Sequence, residues 1–252
     1  MSRVQDKHVA YYRKPARFLD SADLEHVTLY KSKVKNMPGD KHFETPRADF
    51  IKKFINYNGQ SVLDIGCTTG FFIFDALDNG AKNIICYEGS SDSYEVLADF
   101  IQRSDENIEH HNIYFDFSSD KIPAADVVHL LNVVHHFGDD YGADVDVENA
   151  KVMMVKNIDA FAETSKYMVF QMGYNWKGNV NLPLFAKGEK DEVINFLREN
   201  LKSWNIEEIG IPALIDDYIE YVDVSPERMA RNDQLGEFLN RPIFILKSKY
   251  FS

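Results

Sequence analysis

The stretch that most limits how this chain can fold is Ser61-Val62-Leu63-Asp64-Ile65-Gly66-Cys67-Thr68-Thr69-Gly70-Phe71-Phe72. A short apolar run reaches a carboxylate, turns through small residues and continues as an aromatic run with helical spacing. That is a strand, a tight loop and a helix N-terminus, the arrangement in which backbone N–H groups closely approach a ligand.

The rest of the chain repeats this unit. Asn83–Glu88, Asn112–Asp116 and Asp126–Asn132 each read as a strand that ends on a carboxylate or an amide. The last of these, the fourth strand in chain order, is almost continuously apolar, as a strand covered on both faces should be. Tyr167–Met172 reads as a fifth strand, and Trp204–Ile211 and Pro242–Leu246 as two more. Helical patterns separate the first five. Thr45-Pro46 reads as a helix start, and Asn58-Gly59 stops the run that follows it. Asn79-Gly80 ends the helix after Gly70, Asp92 with Glu95 makes a capping pair for the next, and amphipathic helices cover Asp146–Glu163 and Asp191–Leu201. Alternation of this kind predicts an α/β, Rossmann-like fold with a seven-stranded, mostly parallel sheet flanked by helices. Right-handed crossovers then gather the strand ends Asp64, Glu88, Asp116 and Asn132 at one sheet edge, where ligands bind such sheets.

Residues 1–45 fall outside this alternation and read as a helical or irregular N-terminal cap or lid. Residues 46–252 form the main domain, with an insertion at about 213–239. A hydrophobic fraction of 44% is ample for one large core, and no apolar run approaches the roughly 20 residues of a membrane span. The first six residues contain no apolar leader, and two cysteines, Cys67 and Cys86, build no disulfide framework, so a reducing cytoplasm is the expected setting. The net charge of −12, with Lys31–Lys35 the one evident basic cluster, argues against nucleic acid as a partner. Self-association into a homo-oligomer is left open.

Thr68 stands where a dinucleotide loop has its middle glycine, and no anion-seeking pattern follows. The loop resembles the first motif of S-adenosylmethionine-dependent methyltransferases, and that resemblance implies a cofactor without phosphate that needs acceptors for an α-amino group, ribose hydroxyls and an adenine. Glu88, 24 residues beyond Asp64, is placed to accept from ribose hydroxyls. Asp116, with Asp120 in the same loop, can accept from an adenine amino group beside Phe115 or Phe117. Asp64 is expected to orient the loop through its N–H groups. The set resembles the class I S-adenosylmethionine (SAM)-dependent methyltransferases over residues 46–252. The resemblance implies SAM as cofactor, held by Asp64, Gly66, Cys67, Thr68, Gly70, Phe71, Glu88, Gly89, Asp116, Phe117 and Asn132.

Methyl transfer requires the acceptor to be positioned and its proton removed. His135 and His136 follow the fourth strand, and an imidazole suits proton removal near neutral pH. His136 is preferred as the base and His135 as the packing partner. With Asp139 and Asp140 the pair could also bind a divalent ion, but adjacent histidines space ligands poorly, so no metal is expected. After the fifth strand, Tyr174, Asn175, Trp176 and Lys177 read as an aromatic and polar wall for the acceptor. The Gly66–Phe72 loop and the Val133–Phe137 run look like those of sugar O-methyltransferases of bacterial capsule and lipopolysaccharide biosynthesis. That likeness implies a small-molecule substrate, a nucleotide-linked sugar or glycan. Gly80–Asn83 leading to Glu88–Ser90 is similar instead to tRNA wobble-uridine modifying enzymes, the runner-up. A catalytically idle SAM-binding partner protein is the third reading.

Overall fold

The computed structural model describes residues 14–19, 42–118, 121–142, 145–216, 218–232 and 236–251. Its centre is an eight-stranded sheet. Five strands are parallel: β1 (Ser61–Ile65), β2 (Asn83–Tyr87), β3 (Ile108–His111), β4 (Ala125–Leu131) and β5 (Ser165–Gln171). Three are antiparallel to their neighbours: β6 (Trp204–Ile215), β7 (Tyr218–Asp223) and β8 (Ile243–Ser248). The order across the sheet is β3-β2-β1-β4-β5-β8-β6-β7. The helices are α1 (Glu44–Ile51), α2 (Phe71–Asp78), α3 (Ser91–Gln102), α4 (Val147–Ala160), α5 (Lys190–Asn200) and the short α6 (Pro226–Met229).

Strand alternation divides the core into two layers. Leu63, Ile65, Val128 and Leu130 face one side and pack with Ala150, Met154 and Ile158 of α4 and Val193 and Leu197 of α5. Val62, Val127 and Leu131 face the other and pack with Phe50 and Ile51 of α1, Ile73 and Phe74 of α2 and Leu97 of α3. Burial on both faces is why β1 and β4 read as apolar runs rather than alternating ones.

Several sequence expectations need correction. The sheet has eight strands, not seven, because the stretch read as an insertion extends β6 to Ile215 and returns as β7, the edge strand. Ile219 and Tyr221 of β7 are buried while Glu220 is exposed, the period of a half-covered strand. The third strand lies at Ile108–His111, not Asn112–Asp116, so Asp116 sits in the loop beyond it. The first helix starts at Glu44 behind Phe43, ahead of the expected Thr45 cap. Ser90, not Asp92, caps α3, accepting from the Ser93 N–H.

Most of the 1–45 segment, including Lys31–Lys35, lies outside the described residues. Its described part packs from the side: Phe18 stacks on Phe100 at 4.6 Å, and Arg17 pairs with Asp78 and Glu106. Asp120 also lies outside the described residues. Among the described residues, no helix is long and apolar enough to cross a membrane.

Candidate functional site

The loop after β1 is held open by unusual backbone angles. Gly66 and Gly70 have φ of +72° and +88°, and a Cβ on either would lie 2.9 Å from Val133 or 2.7 Å from Leu97. Only glycine satisfies both the angle and the space. Thr68 adopts φ +51°, a left-handed conformation that is costly for a β-branched residue. Its N–H is held there by the Glu88 carboxylate at 2.8 Å, whose other oxygen accepts from Ser90 N–H at 2.7 Å. Gly66 and Cys67 donate to the Tyr87 carbonyl at the end of β2. Glu88 is therefore the loop's organiser, the role expected of Asp64. Burial raises the Glu88 carboxyl above its usual range, and the two backbone N–H bonds oppose the shift.

Asp64, buried beneath the loop, takes a different partner. Its Oδ2 lies 3.3 Å from Nδ1 of His129, the residue in register with it on β4. Cys67 and Cys86 are both buried free thiols, and burial raises the Cys67 thiol well above its usual range. Phe71, the first residue of α2, is buried.

The slot's outer wall is aromatic. Tyr114 lies flat against Gly89, where a Cβ would sit 2.4 Å from the ring. Tyr114 meets Tyr141 edge to face at 5.4 Å, and Tyr141 meets Phe117 at 5.4 Å. Sequence reasoning missed both tyrosines; the glycine after an acidic strand end was the signal that something flat covers it. Asp116 is exposed and closes a local turn, accepting from Ser118 N–H and Oγ–H, which lowers its carboxyl.

Beyond β4 and β5 the site becomes a side-chain network. Asn132, with φ +62°, donates its N–H to the Gln171 carbonyl and its Nδ2–H to Gln171 Oε1. Its Oδ1 accepts from Arg241 at 2.9 Å, while Arg241 also pairs with Glu237. Arg47 of α1 reaches Gln171 at 3.3 Å, with its guanidinium near the rings of Phe72 and Phe238 at 4.8 and 5.2 Å. Arg47, Gln171 and Arg241 belong to no local motif, and only an apolar strand ending in glutamine marked the place.

The two histidines separate by environment. His135 is buried, and its Nδ1 accepts from Gly173 N–H at 3.3 Å. Burial, Arg241 and His136 hold it well below the ordinary imidazole value. His136 is half-buried, its ring 4.4 Å from that of His135 and its Nδ1 3.5 Å from Asp140. Burial lowers His136, and Asp140 and Asp139 pull the other way. Ligand atoms of His136, Asp139 and Asp140 lie within 4.8 Å of one another, close enough to share one metal ion.

The expected acceptor wall is corrected in part. Tyr174 and Trp176 are buried, with Tyr174 donating to the Asn240 carbonyl and Trp176 Nε1–H to the Phe137 carbonyl at 2.6 Å. Their rings anchor the loop in the core instead of offering a platform. Asn175 and Lys177 remain half-exposed, and the Lys177 ammonium lies 4.5 Å over the Trp176 ring.

No family model matches the chain. It is 26% identical over 92 residues to a tRNA U34 carboxymethyltransferase of Helicobacter acinonychis, and equally to one of Helicobacter pylori. Each match covers 35% of this chain and 35% of the relative, so the likeness spans about a third of those proteins. Among solved structures, WbdD is similar with a TM-score of 0.57 at 13% identity, over 88% of this chain and 46% of that one. A second structure, described as the bifunctional kinase-methyltransferase WbdD, gives 0.56 at 13% identity over the same shares. The chain thus has an α/β fold, built on a mostly parallel sheet, that a methyltransferase also uses.

Proposed function

We propose that this chain is a SAM-dependent methyltransferase acting on a hydroxyl of a small polar acceptor, a nucleotide-linked sugar or glycan of surface polysaccharide biosynthesis. The observation that carries the cofactor reading is the pair of buried carboxylates, Asp64 and Glu88, at the mouth of the glycine loop. Two anions there repel a pyrophosphate and suit a ligand that brings an ammonium, a sulfonium and ribose hydroxyls. SAM supplies an electrophilic methyl carbon when bound. Asp64 and Glu88 would accept from its polar ends, Gly66 and Asn132 would line the amino-acid end, and Tyr114 with Phe117 would flank the adenine.

On the acceptor side, His136 is the general base. Its lowered pKa keeps the ring neutral at pH 7, ready to take a hydroxyl proton, and Asp140 stabilises the imidazolium that results. His135, locked by Gly173 N–H, supports it from behind. Asn175 and Lys177 supply polar contacts to the acceptor, and residues 46–252 form the catalytic domain with 1–45 as cap or lid.

The wobble-uridine reading is favoured by one observation, the 26% match to tRNA U34 carboxymethyltransferases. One experiment separates the readings: incubation with SAM and either a panel of nucleotide-linked sugars or unmodified tRNA, followed by mass spectrometry of both. Mass gain on a sugar nucleotide supports the first reading, and gain on tRNA alone transfers the assignment. Cofactor binding without any product identifies an idle SAM-binding protein.

A further inference from the structure

A histidine sits where the fold can least accommodate one. His129 is the fifth residue of β4, fully buried, on the same sheet face as Val127 and Leu131. A polar ring in that layer costs several kcal/mol unless its nitrogens are bonded. Both are. Nδ1 faces Asp64 Oδ2 at 3.3 Å, and Nε2 faces the Tyr57 hydroxyl at 2.8 Å. Tyr57, just before β1, is 3% exposed and Asp64 is also 3% exposed, so the bonds of His129 lie inside the core while Asp64 stands at its edge.

The direction of the bonds follows from the chemistry of the partners. A carboxylate only accepts, so Nδ1 carries the ring proton and Nε2 accepts from the phenol. Burial, with the charges of Asp75 and Asp64, holds the Tyr57 phenol well above its ordinary value, so it keeps the proton it donates. The polarity therefore runs one way, from Tyr57 through His129 to Asp64. Parallel register places His129 directly beside Asp64, so the bond needs no loop to form it.

This arrangement satisfies only half of the carboxylate. Among the described residues, Oδ1 of Asp64 receives no hydrogen bond. This carboxylate, two residues before Gly66 and with one oxygen unfilled, can receive a donor that the protein does not supply. The loop N–H of Thr68 is already taken by Glu88.

We infer that His129 and Tyr57 are positioning residues that fix the Asp64 carboxylate so that its second oxygen receives the α-ammonium of the cofactor's amino-acid end. The inference rests on the cofactor reading above. It separates two halves of one ligand, with Glu88 serving the nucleoside and the Tyr57–His129–Asp64 chain serving the amino acid.

The test measures affinity by calorimetry for two ligands, S-adenosylhomocysteine and 5′-methylthioadenosine, which lacks the amino-acid end. In His129→Leu, S-adenosylhomocysteine should bind roughly tenfold or more weakly while methylthioadenosine changes by less than about twofold. His129→Asn, which keeps a donor at the Nδ1 position, should recover most of the loss. Tyr57→Phe should weaken the first ligand by about two- to threefold and leave the fold intact, as thermal melting will report. Asp64→Asn combined with His129→Leu should lose little beyond Asp64→Asn alone, because the two act through one carboxylate. Equal loss of both ligands would reduce His129 to a packing role, and unchanged affinity in a folded variant would overturn the inference while leaving the cofactor reading intact. A wild-type protein that binds neither ligand would overturn the cofactor reading itself.

Discussion

The two halves of the site lie along one sheet edge but are built by different means. On the β1–β2 side, Glu88 meets Thr68 from only 20 residues away, and its partners are backbone N–H groups. On the β4–β5–β8 side, Asn132 and Arg241 are 109 residues apart, Arg47 and Gln171 are 124 apart, and their bonds join side chain to side chain. The first half is a backbone device that needs glycine at two positions and one carboxylate to hold it. The second depends on each named side chain arriving from a separate element. A cofactor common to many chemistries suits the first, and a particular acceptor suits the second.

Breaking each half should therefore give a different signature. The largest effect is expected from His136→Ala, which should lower kcat by about 10²- to 10⁴-fold while leaving cofactor affinity within about twofold. If EDTA alone reproduces that loss in the wild type, His136 acts as a metal ligand with Asp139 and Asp140 instead of as a base. Glu88→Ala comes next. Two loop N–H groups lose their acceptor, so the Kd for SAM should rise roughly tenfold to a hundredfold, read by calorimetry. An unchanged Kd would remove the carboxylate from the cofactor site.

Arg241→Met probes the other half. It strips Glu237 and Asn132 of a shared partner, and urea unfolding should show a loss of about 2–4 kcal/mol with a raised KM for the acceptor and, through Asn132, a smaller rise for SAM. The smallest effect is one of pH. The folded state holds His135 below the ordinary 6.5, so between that value and its folded pKa the unfolded chain binds more protons. Stability should be full above about pH 6.5 and decline on acidification, by at most about 1.4 kcal/mol per unit, and His135→Gln should flatten the slope. Because His136 is also lowered, the acid limb of activity should lie below 6.5.

What could be read from the residues tracks the same division. The helix stop at Asn79-Gly80, the strand ends at Asp64 and Glu88 and the glycine loop follow from local rules, and each lies where periodicity put it. The pattern places the third strand too late because Ile113-Tyr114-Phe115 looks more strand-like than Ile108–His111. Yet β3 is a sheet edge and needs little apolar content. Its two histidines instead meet Tyr94 and Tyr87, His110 by a hydrogen bond of 2.7 Å and His111 by stacking at 4.6 Å. Tyr114, freed from the strand, covers Gly89. Trp176 looked like a platform because tryptophan beside lysine on a loop resembles one, but its ring was needed in the core.

By itself, the sequence determined the parallel α/β frame, the loop and the acids that surround it. Backbone hydrogen bonding is periodic and local, and it leaves a periodic trace in the residues. Tertiary structure alone decided that Glu88 holds the loop, that Asp64 turns to His129, that His135 is sealed while His136 stands at the rim, and that Arg47 and Arg241 meet around Gln171. Those outcomes depend on side chains brought together across the sheet and from opposite ends of the chain. No spacing along the sequence records such meetings, because packing, not period, selects them.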